Sequence, residues 1–297
     1  MDADRPAPDL SVPESRFARA YAGLSDEQRA WLKTGIALLF EWHGDRRRLA
    51  RSEAATWRGG LSSMLVEAPR DFAVLLCDET FASPAQLLAA LVPALLSGVP
   101  EVVVLHVGRR GATPPALLAA CELAGQEIVI EAGPRRAAKL LAGMCRPGRS
   151  GSVLILGRGA AAGVWAGLAA DPARVRAWRP GLGRTASVWL EAQDDFDLEI
   201  LAFAHPDTEF RVFGASPGRL PAGFVRGRGN FAACLAGDSG VVFAPAARAE
   251  EALVAAQLVL CPGLEGCFVW PDLEPSLFVS RRIGWDAAPD DGEGAGP

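Results

Sequence analysis

The run Gly157-Arg158-Gly159-Ala160-Ala161-Ala162-Gly163 has the residue types and spacing of a phosphate-binding loop. It follows a predicted strand and opens a predicted helix, and Glu191 ends the next predicted strand. The three glycines would let a phosphate reach the helix N-terminus, and Arg158 could pair with it. The competing interpretation is that small residues here serve only the close packing of a helix on a sheet, and the sequence leaves both open.

Three histidines and six cysteines are the other side chains suited to metal binding or nucleophilic chemistry. No Cys-x-x-Cys pair occurs, and most of the cysteines lie in apolar runs, which is typical of buried, reduced thiols. Cys261 and Cys267 have no base at a matching spacing, so structural cysteines are the favoured interpretation. Because zinc takes four ligands, or three and a water, so few histidines argue against a metal site. We expect none, with His205 as a vestigial ligand candidate.

The composition is that of a soluble protein with a large core. The 297 residues are 50% hydrophobic, and 30 Lys and Arg against 35 Asp and Glu give a net charge of −5. This balance argues against nucleic acid and anionic membranes as partners and leaves a small ligand or a protein partner open. The N-terminus carries acids where a signal peptide carries bases, and prolines and glycine interrupt the most apolar run, 87–105. We predict a cytoplasmic protein without a membrane span.

Short apolar runs alternate with amphipathic segments along most of the chain. Ser25 and Gln28 can form a capping box before a predicted helix at 26–43. From residue 71 onward, strands and helices alternate, a pattern typical of parallel strands joined by right-handed crossovers. We predict an α/β fold of two tandem Rossmann-like parallel-sheet units with helices on both faces, preceded by an N-terminal helix. The predicted strands are 72–76, 102–106, 127–130, 152–156, 187–190, 209–213 and 267–270; the later helices are 84–96, 114–124, 134–142, 160–169, 196–204 and 248–259.

The same pattern divides the chain into parts. Residues 15–70 together with 184–285 form the first predicted lobe, and residues 71–183 form the second. Residues 1–14 and 286–297 are rich in Pro, Asp, Gly and Ala and lack periodicity. Such segments cannot bury enough apolar surface to fold, so we predict disordered tails there.

Four stretches resemble histidinol dehydrogenase in their local sequence and in their order along the chain, over about residues 20–285. They are the helix from Leu24 to His43; the helix, turn and strand from Ser83 to Val104, similar to "PA..AGv.eivv"; residues 117–137, similar to "vLaAA.laGv" and "GGAQAiaALA"; and residues 204–207 with the strand beyond, similar to "QAEHg.ds". The resemblance implies two incomplete Rossmann-like units, as in the wider aldehyde dehydrogenase-like fold. It also implies an enzyme that oxidises L-histidinol to L-histidine with NAD and zinc.

At the positions to which the resemblance assigns chemistry, this chain mostly departs from the family. Asp78 and Glu79 stand near the family's glycine turn, where carboxylates would repel a pyrophosphate. Arg135 replaces the "GGAQ" amide, and Ala160 replaces the "GPGN" asparagine. Ala202 replaces the glutamine of "QAEH", whose histidine is kept as His205, and the catalytic Glu-His pair falls on Asp238-Ser239-Gly240. We also expect a C-terminally truncated homologue without the family's last histidine ligand.

These departures predict a histidinol dehydrogenase-like protein that has lost NAD-dependent oxidation. It would need no cofactor and would bind a small anionic ligand or a protein partner. The candidate binding residues are Gly157, Arg158, Gly159, Gly163 and Arg135. The alternative is a divergent NAD(P)-dependent oxidoreductase that uses the Gly157–Gly163 loop.

Overall fold

The protein has the predicted α/β architecture, with two five-stranded parallel sheets and a third, antiparallel sheet. The computed structural model describes residues 10–44, 50–216, 218–237 and 239–287. In chain order, the helices are α1 (Glu14–Ala22), α2 (Asp26–His43), α3 (Pro84–Leu96), α4 (Pro115–Leu123), α5 (Pro134–Met144), α6 (Ala160–Ala166), α7 (Leu198–Ala204), α8 (Phe231–Leu235) and α9 (Ala249–Leu253). The strands are β1 (Arg51–Thr56), β2 (Leu61–Pro69), β3 (Phe72–Asp78), β4 (Val102–Val107), β5 (Val129–Ala132), β6 (Gly151–Ile155), β7 (Val175–Trp178), β8 (Thr185–Leu190), β9 (Glu209–Gly214), β10 (Phe224–Arg226), β11 (Val241–Phe243), β12 (Leu258–Leu260) and β13 (Val279–Ala287).

Strand β3 is the centre of the first parallel sheet, whose order is β5-β4-β3-β6-β7. All seven of its residues are buried, because helices cover both faces, and this explains its continuous apolar run. Alternate side chains of β3 enter two cores. Leu75 and Cys77 belong to the core that includes α3 and α4, and Val74 and Leu76 belong to the core that includes α5 and α6.

The second parallel sheet has the order β10-β9-β8-β11-β12. One of its faces adds Val188, Phe210 and Phe243 to the core that holds α3 and α4. Its other face packs Phe213 and Val242 with residues of α8 and α9. One continuous core therefore joins the two parallel sheets.

The N-terminal part of the fold contains two helices, of which the sequence predicted one. The predicted helix at 26–43 is α2, and its capping box between Ser25 and Gln28 is present. The additional helix α1 packs on α4, whereas α2 packs on α3. Both therefore cover the outer side of the helical layer on the first sheet.

Several predicted boundaries are corrected by the structure. Residues 248–259 are not one helix, since α9 ends at Leu253 and Leu258–Leu260 pairs with β11 as β12. Residues 267–270 form no strand and lie as an irregular buried segment. In the predicted tails, 1–9 and 288–297 lie outside the described residues, but Ser11 forms a bridge to Ile130, Glu14 begins α1, and β13 continues to Ala287.

The antiparallel sheet, of order β1-β2-β13, has no counterpart in the prediction. Strands β1 and β13 are mostly exposed and β2 is mostly half-buried, so they lack the buried apolar runs that marked the other strands. Strand β2 also pairs with a strand more than 200 residues away, which no local pattern encodes. Among the described residues, no helix combines the length and apolarity needed to cross a bilayer.

Candidate functional site

The predicted phosphate-binding loop lies beside a buried carboxylate at the carboxyl end of β3. Strands β3 and β6 are neighbours, so Asp78 at the end of β3 lies next to the loop between β6 and α6. The Asp78 carboxylate accepts hydrogen bonds from the backbone N–H groups of Gly159 and Ala161, each at 2.9 Å. A carboxylate from the neighbouring strand thus caps the N-terminus of α6, where the loop pattern predicted a phosphate.

Thr80 completes the hydrogen bonding around Asp78. Its backbone N–H and its hydroxyl donate to one carboxylate oxygen, at 2.9 and 2.6 Å, while the two α6 amides donate to the other. The Thr80 hydroxyl in turn accepts from the backbone N–H of Arg158 at 2.9 Å. Burial raises the pKa of Asp78, but these hydrogen bonds outweigh it and hold the pKa below its ordinary value. Asp78 is therefore an ionised carboxylate at neutral pH.

The glycines of the loop differ in what they make room for. A Cβ atom at Gly157 would stand 2.5 Å from Cγ of Asp78, and one at Gly159 would stand 3.2 Å from the Asp78 carboxylate. Gly163 has open space around it, with no atom within 4 Å of a built Cβ. Two of the three glycines thus allow the approach of Asp78, and their role in dinucleotide binding stays a prediction.

A cavity of about 200 Å³ opens beside the Arg158 side of this loop, between the end of β6 and the start of β8. Its positive charge comes from three arginines, Arg158, Arg179 and Arg184. The guanidinium groups of Arg158 and Arg179 have no hydrogen-bond or ion-pair partner within the described ranges. The other lining residues are Phe81, Gln86, Ile155, Leu156, Gly157, Ala162, Pro180, Leu182, Gly183 and Trp270.

Asp207 is not among the residues that line the cavity, but it lies next to one of its arginines, Arg184. Its carboxylate lies 3.8 Å from the Arg184 guanidinium and accepts from the Ala82 N–H at 3.2 Å. Burial raises the pKa of Asp207, against the lowering effect of Ala82, Arg184 and Arg158. Its Oδ1 atom is buried and has no hydrogen-bond partner among the described residues. The arginines that line the cavity therefore have one acidic neighbour, Asp207, which does not line it.

His205 lies away from these polar groups, in an aromatic environment. Its ring is within 5.6–6.2 Å of the rings of Phe210, Phe243 and Phe268, and Nε2 has one polar partner, the Glu265 carbonyl oxygen, at 3.3 Å. Burial lowers the pKa of His205 to about 4, so the ring is neutral. Zinc needs several nitrogen, sulfur or oxygen ligands, which three phenyl rings do not supply. His205 does not fit a zinc site, and within the described ranges no three His, Cys, Asp or Glu residues cluster as metal ligands.

The remaining predicted site residues are dispersed. Arg135 is exposed at the start of α5 and does not line the arginine cavity. Ala160 begins α6, and Ala202 packs in α7. Ser239 is buried, with its Oγ 3.2 Å from Oγ of Ser187. Asp238 lies outside the described residues.

The sequence did not single out Arg179 and Arg184 as site residues. The available signal was the density of arginines between 174 and 184, where four occur in eleven positions. That segment contains β7 and the crossing to the second sheet, so its arginines reach a site that the first sheet also borders.

The comparisons with known proteins agree with the fold. Residues 1–146 match the sequence profile of the family described as histidinol dehydrogenase. The first 146 residues of the chain are therefore similar in sequence to histidinol dehydrogenase. The crystal structure of histidinol dehydrogenase from Elizabethkingia anophelis superposes on this histidinol dehydrogenase-like chain with a TM-score of 0.57 and 13% identity, over 95% of this chain and 77% of that one. The predicted resemblance is thereby confirmed.

A second similar structure belongs to the aldehyde dehydrogenases. The NAD-dependent benzaldehyde dehydrogenase from Corynebacterium glutamicum matches with a TM-score of 0.50 and 10% identity, over 94% of this chain and 88% of that one. At such identities the likeness concerns the fold alone. A search of curated proteins finds no match to the histidinol dehydrogenase-like chain. The profile match ends at residue 146, before Gly157, His205 and Asp238.

Proposed function

We propose that this histidinol dehydrogenase-like protein binds a small anion in the arginine-lined cavity and does not oxidise L-histidinol with NAD. The observation that carries the proposal is the ionised carboxylate of Asp78 on the N-terminus of α6. Helix N-termini bind phosphates through free backbone N–H groups, and here those of Gly159 and Ala161 already have an anionic partner.

A dinucleotide phosphate at this position would have to displace Asp78 or lie against it. Displacement would remove the hydrogen bonds of a buried carboxylate, and coexistence would bring two negative charges close together beside that buried group. Asp78 thus stabilises the loop through its own hydrogen bonds and disfavours a pyrophosphate there.

The cavity itself favours a small anion. Guanidinium groups pair with carboxylates and phosphates through two parallel hydrogen bonds, and two of the three arginines here have no described partner. The volume of about 200 Å³ is below the ~300–1,000 Å³ of pockets for drug-sized ligands. Trp270 and Phe81 add apolar walls, so a carboxylate or phosphate on a short carbon skeleton is the proposed ligand class.

The binding half of the proposal is tested by thermal unfolding with inorganic phosphate or succinate, at an ionic strength held constant with sodium chloride. A ligand of the folded state raises Tm, and we expect a rise of about 2 °C or more at saturation. Arg158→Ala and Arg179→Ala should each abolish most of that rise. Arg219→Ala, an exposed arginine outside the cavity lining, is the matched control and should keep it. Equal shifts in all the variants, or none in the wild type, would refute anion binding at the cavity.

The catalytic half is tested separately, by incubating the purified protein with L-histidinol, NAD and zinc and following NADH formation at 340 nm. We expect no turnover above that of a buffer control. Turnover that Gly159→Asp abolishes would instead establish the divergent oxidoreductase that uses Gly157–Gly163.

A further inference from the structure

Gln86 is a buried residue of the arginine cavity whose side-chain amide has no partner of its own. It is the third residue of α3, it lines the cavity, and it is 8% exposed. Its backbone is satisfied, since the N–H donates to Ser83 Oγ at 3.2 Å and the carbonyl oxygen accepts from Trp270 Nε1 at 3.0 Å. Its amide forms no hydrogen bond with any residue that the structure describes. The nitrogen and the oxygen of that amide therefore remain free to bind another group.

The partner that a glutamine at this helix position ordinarily takes is not used. A glutamine three residues after the N-cap commonly accepts a hydrogen bond from the backbone N–H of the capping residue. At the start of α2, Gln28 does so, accepting from the Ser25 N–H at 3.1 Å. At the start of α3, Ser83 caps the helix, but Gln86 does not complete the capping box. Two glutamines in equivalent positions thus differ, and the one beside the cavity leaves its amide unpaired.

The amide of Gln86 has access to the cavity. It is absent from the polar side-chain atoms that are both inaccessible to solvent and without a partner among the described residues. Because the side chain is almost entirely buried and lines the cavity, its accessible part faces that space. A polar group in such a position costs free energy unless a water or a ligand satisfies it. A ligand that satisfies it fully accepts a hydrogen bond from the NH₂ group and donates one to the carbonyl oxygen.

The cavity thus offers two kinds of polar group in a small space. The guanidinium groups of Arg158 and Arg179 are charged donors without a described partner, whereas the amide of Gln86 is a neutral donor and acceptor. The volume is about 200 Å³, so a ligand that reaches both has only a few bonds between its two polar groups. A second carboxylate would accept from Gln86 but could not donate to it. A hydroxyl or a primary carboxamide does both.

We propose that Gln86 is the specificity-determining residue of the arginine cavity, and that the ligand is a small carboxylate or phosphate that carries a hydroxyl or a primary carboxamide. Arg158 and Arg179 bind the anionic end, and Gln86 exchanges two hydrogen bonds with the neutral end. This inference rests on the proposed anion binding and adds to it the second functional group of the ligand. An anion of the same charge with a hydrocarbon group at that end leaves the Gln86 amide unpaired and binds more weakly.

Two carboxylates of equal charge and nearly equal size test this selection, with the Kd of each measured by isothermal titration calorimetry at constant ionic strength. Succinamate ends in a carboxamide, and 4-methylpentanoate ends in an isopropyl group of similar shape. The wild type should bind succinamate at least about 10-fold more tightly. In Gln86→Leu the preference should disappear, through weaker binding of succinamate. Gln257→Leu, at an exposed position outside the cavity lining, is the matched control and should keep the wild-type preference.

A second variant, Gln86→Glu, keeps the length of the side chain and replaces the neutral amide by a carboxylate. It should weaken the binding of succinamate and of inorganic phosphate at least about 10-fold each, because a negative charge then lies in the same small cavity as the anion. An affinity for phosphate equal to that of the wild type would show that Gln86 does not border the bound anion, and would overturn the proposal.

The outcomes separate this inference from the anion binding on which it rests. A wild type that binds phosphate but does not distinguish the two carboxylates, or a preference that Gln86→Leu keeps, would overturn the selection by Gln86 and leave anion binding intact. A wild type that binds neither phosphate nor either carboxylate would refute the anion proposal and this inference with it. Gln86→Leu removes no hydrogen bond that the structure describes, so its Tm without ligand should stay close to that of the wild type.

Discussion

At the scale of single residues, the centre of the molecule's chemistry is Asp78. The N-terminus of α6 favours a negative charge, and the Asp78 carboxylate provides this charge from within the chain. The four donors, which are the backbone N–H groups of Gly159, Ala161 and Thr80 and the Thr80 hydroxyl, make it a fixed part of the fold. The glycines around it are then structural residues that accommodate a carboxylate.

The different roles of the glycines give a matched pair of variants. Gly157→Ala should destabilise the protein by about 2–4 kcal/mol, because the added Cβ collides with Asp78 and displaces its hydrogen bonds. Gly163→Ala should stabilise it by up to about 1 kcal/mol, since the site is open and alanine favours the helix. Urea unfolding measures both. Equal effects of the two substitutions would mean that Asp78 does not occupy the loop.

His205 gives a pH-dependent prediction. Its pKa is about 4 in the folded protein against an ordinary value of 6.5, so the unfolded chain binds the proton first as the pH falls. The free energy of unfolding should therefore decrease by about 3 kcal/mol between pH 6.5 and 4 on account of this group. In His205→Leu that part of the decrease should be absent. An unchanged slope, measured by urea unfolding across this range, would show that the ring is not held neutral.

At the scale of elements, Glu131 on β5 joins helix α1 to the loop between β4 and α4. From β5 it accepts hydrogen bonds from Arg16 of α1 at 2.7 Å and from the backbone N–H groups of Gly111 and Thr113 at 2.6 and 2.9 Å. Burial raises the pKa of Glu131, but these donors outweigh it and lower the pKa to about 2 from 4.5. The ionised form is therefore strongly favoured by the fold.

The stability that Glu131 contributes should be complete above pH 4.5 and be lost as the pH falls toward 2. Glu131→Gln should accordingly lower the free energy of unfolding by about 3 kcal/mol at pH 7 and flatten this acid limb. Glu127→Gln, at an exposed position just before β5, is the control and should change neither. Chemical unfolding at pH 7 and at pH 3 distinguishes the two variants.

The helices and strands also show which parts of the fold could be predicted from the sequence. The buried strands and amphipathic helices of the first sheet were predictable, because parallel strands covered on both faces require continuous apolar runs. The first residue of α2 follows from the capping box of Ser25 and Gln28. The exposed sheet β1-β2-β13 was missed because its apolar residues alternate weakly and its pairing is non-local. In the site, Asp78 and the glycine loop were each noticed, but their contact depends on β3 and β6 being neighbours, which no local pattern states.

At the scale of the whole molecule, two parallel sheets share one core and leave a cavity where their connections meet. This histidinol dehydrogenase-like architecture is the setting of NAD-dependent chemistry in the benzaldehyde dehydrogenase that it resembles in fold. Fold alone does not carry that activity to this chain. The Asp78 carboxylate, together with Arg158 and Arg179, which have no partner among the described residues, supports the proposed anion binding in the same framework.

The most direct test of the account is a titration of the protein with NADH, followed by the nucleotide's fluorescence. Because Asp78 occupies the α6 N-terminus, we expect no saturable binding up to about 1 mM NADH. Saturable binding with a Kd in the micromolar range that Gly159→Asp abolishes would contradict the central claim, since it would place the dinucleotide where Asp78 lies.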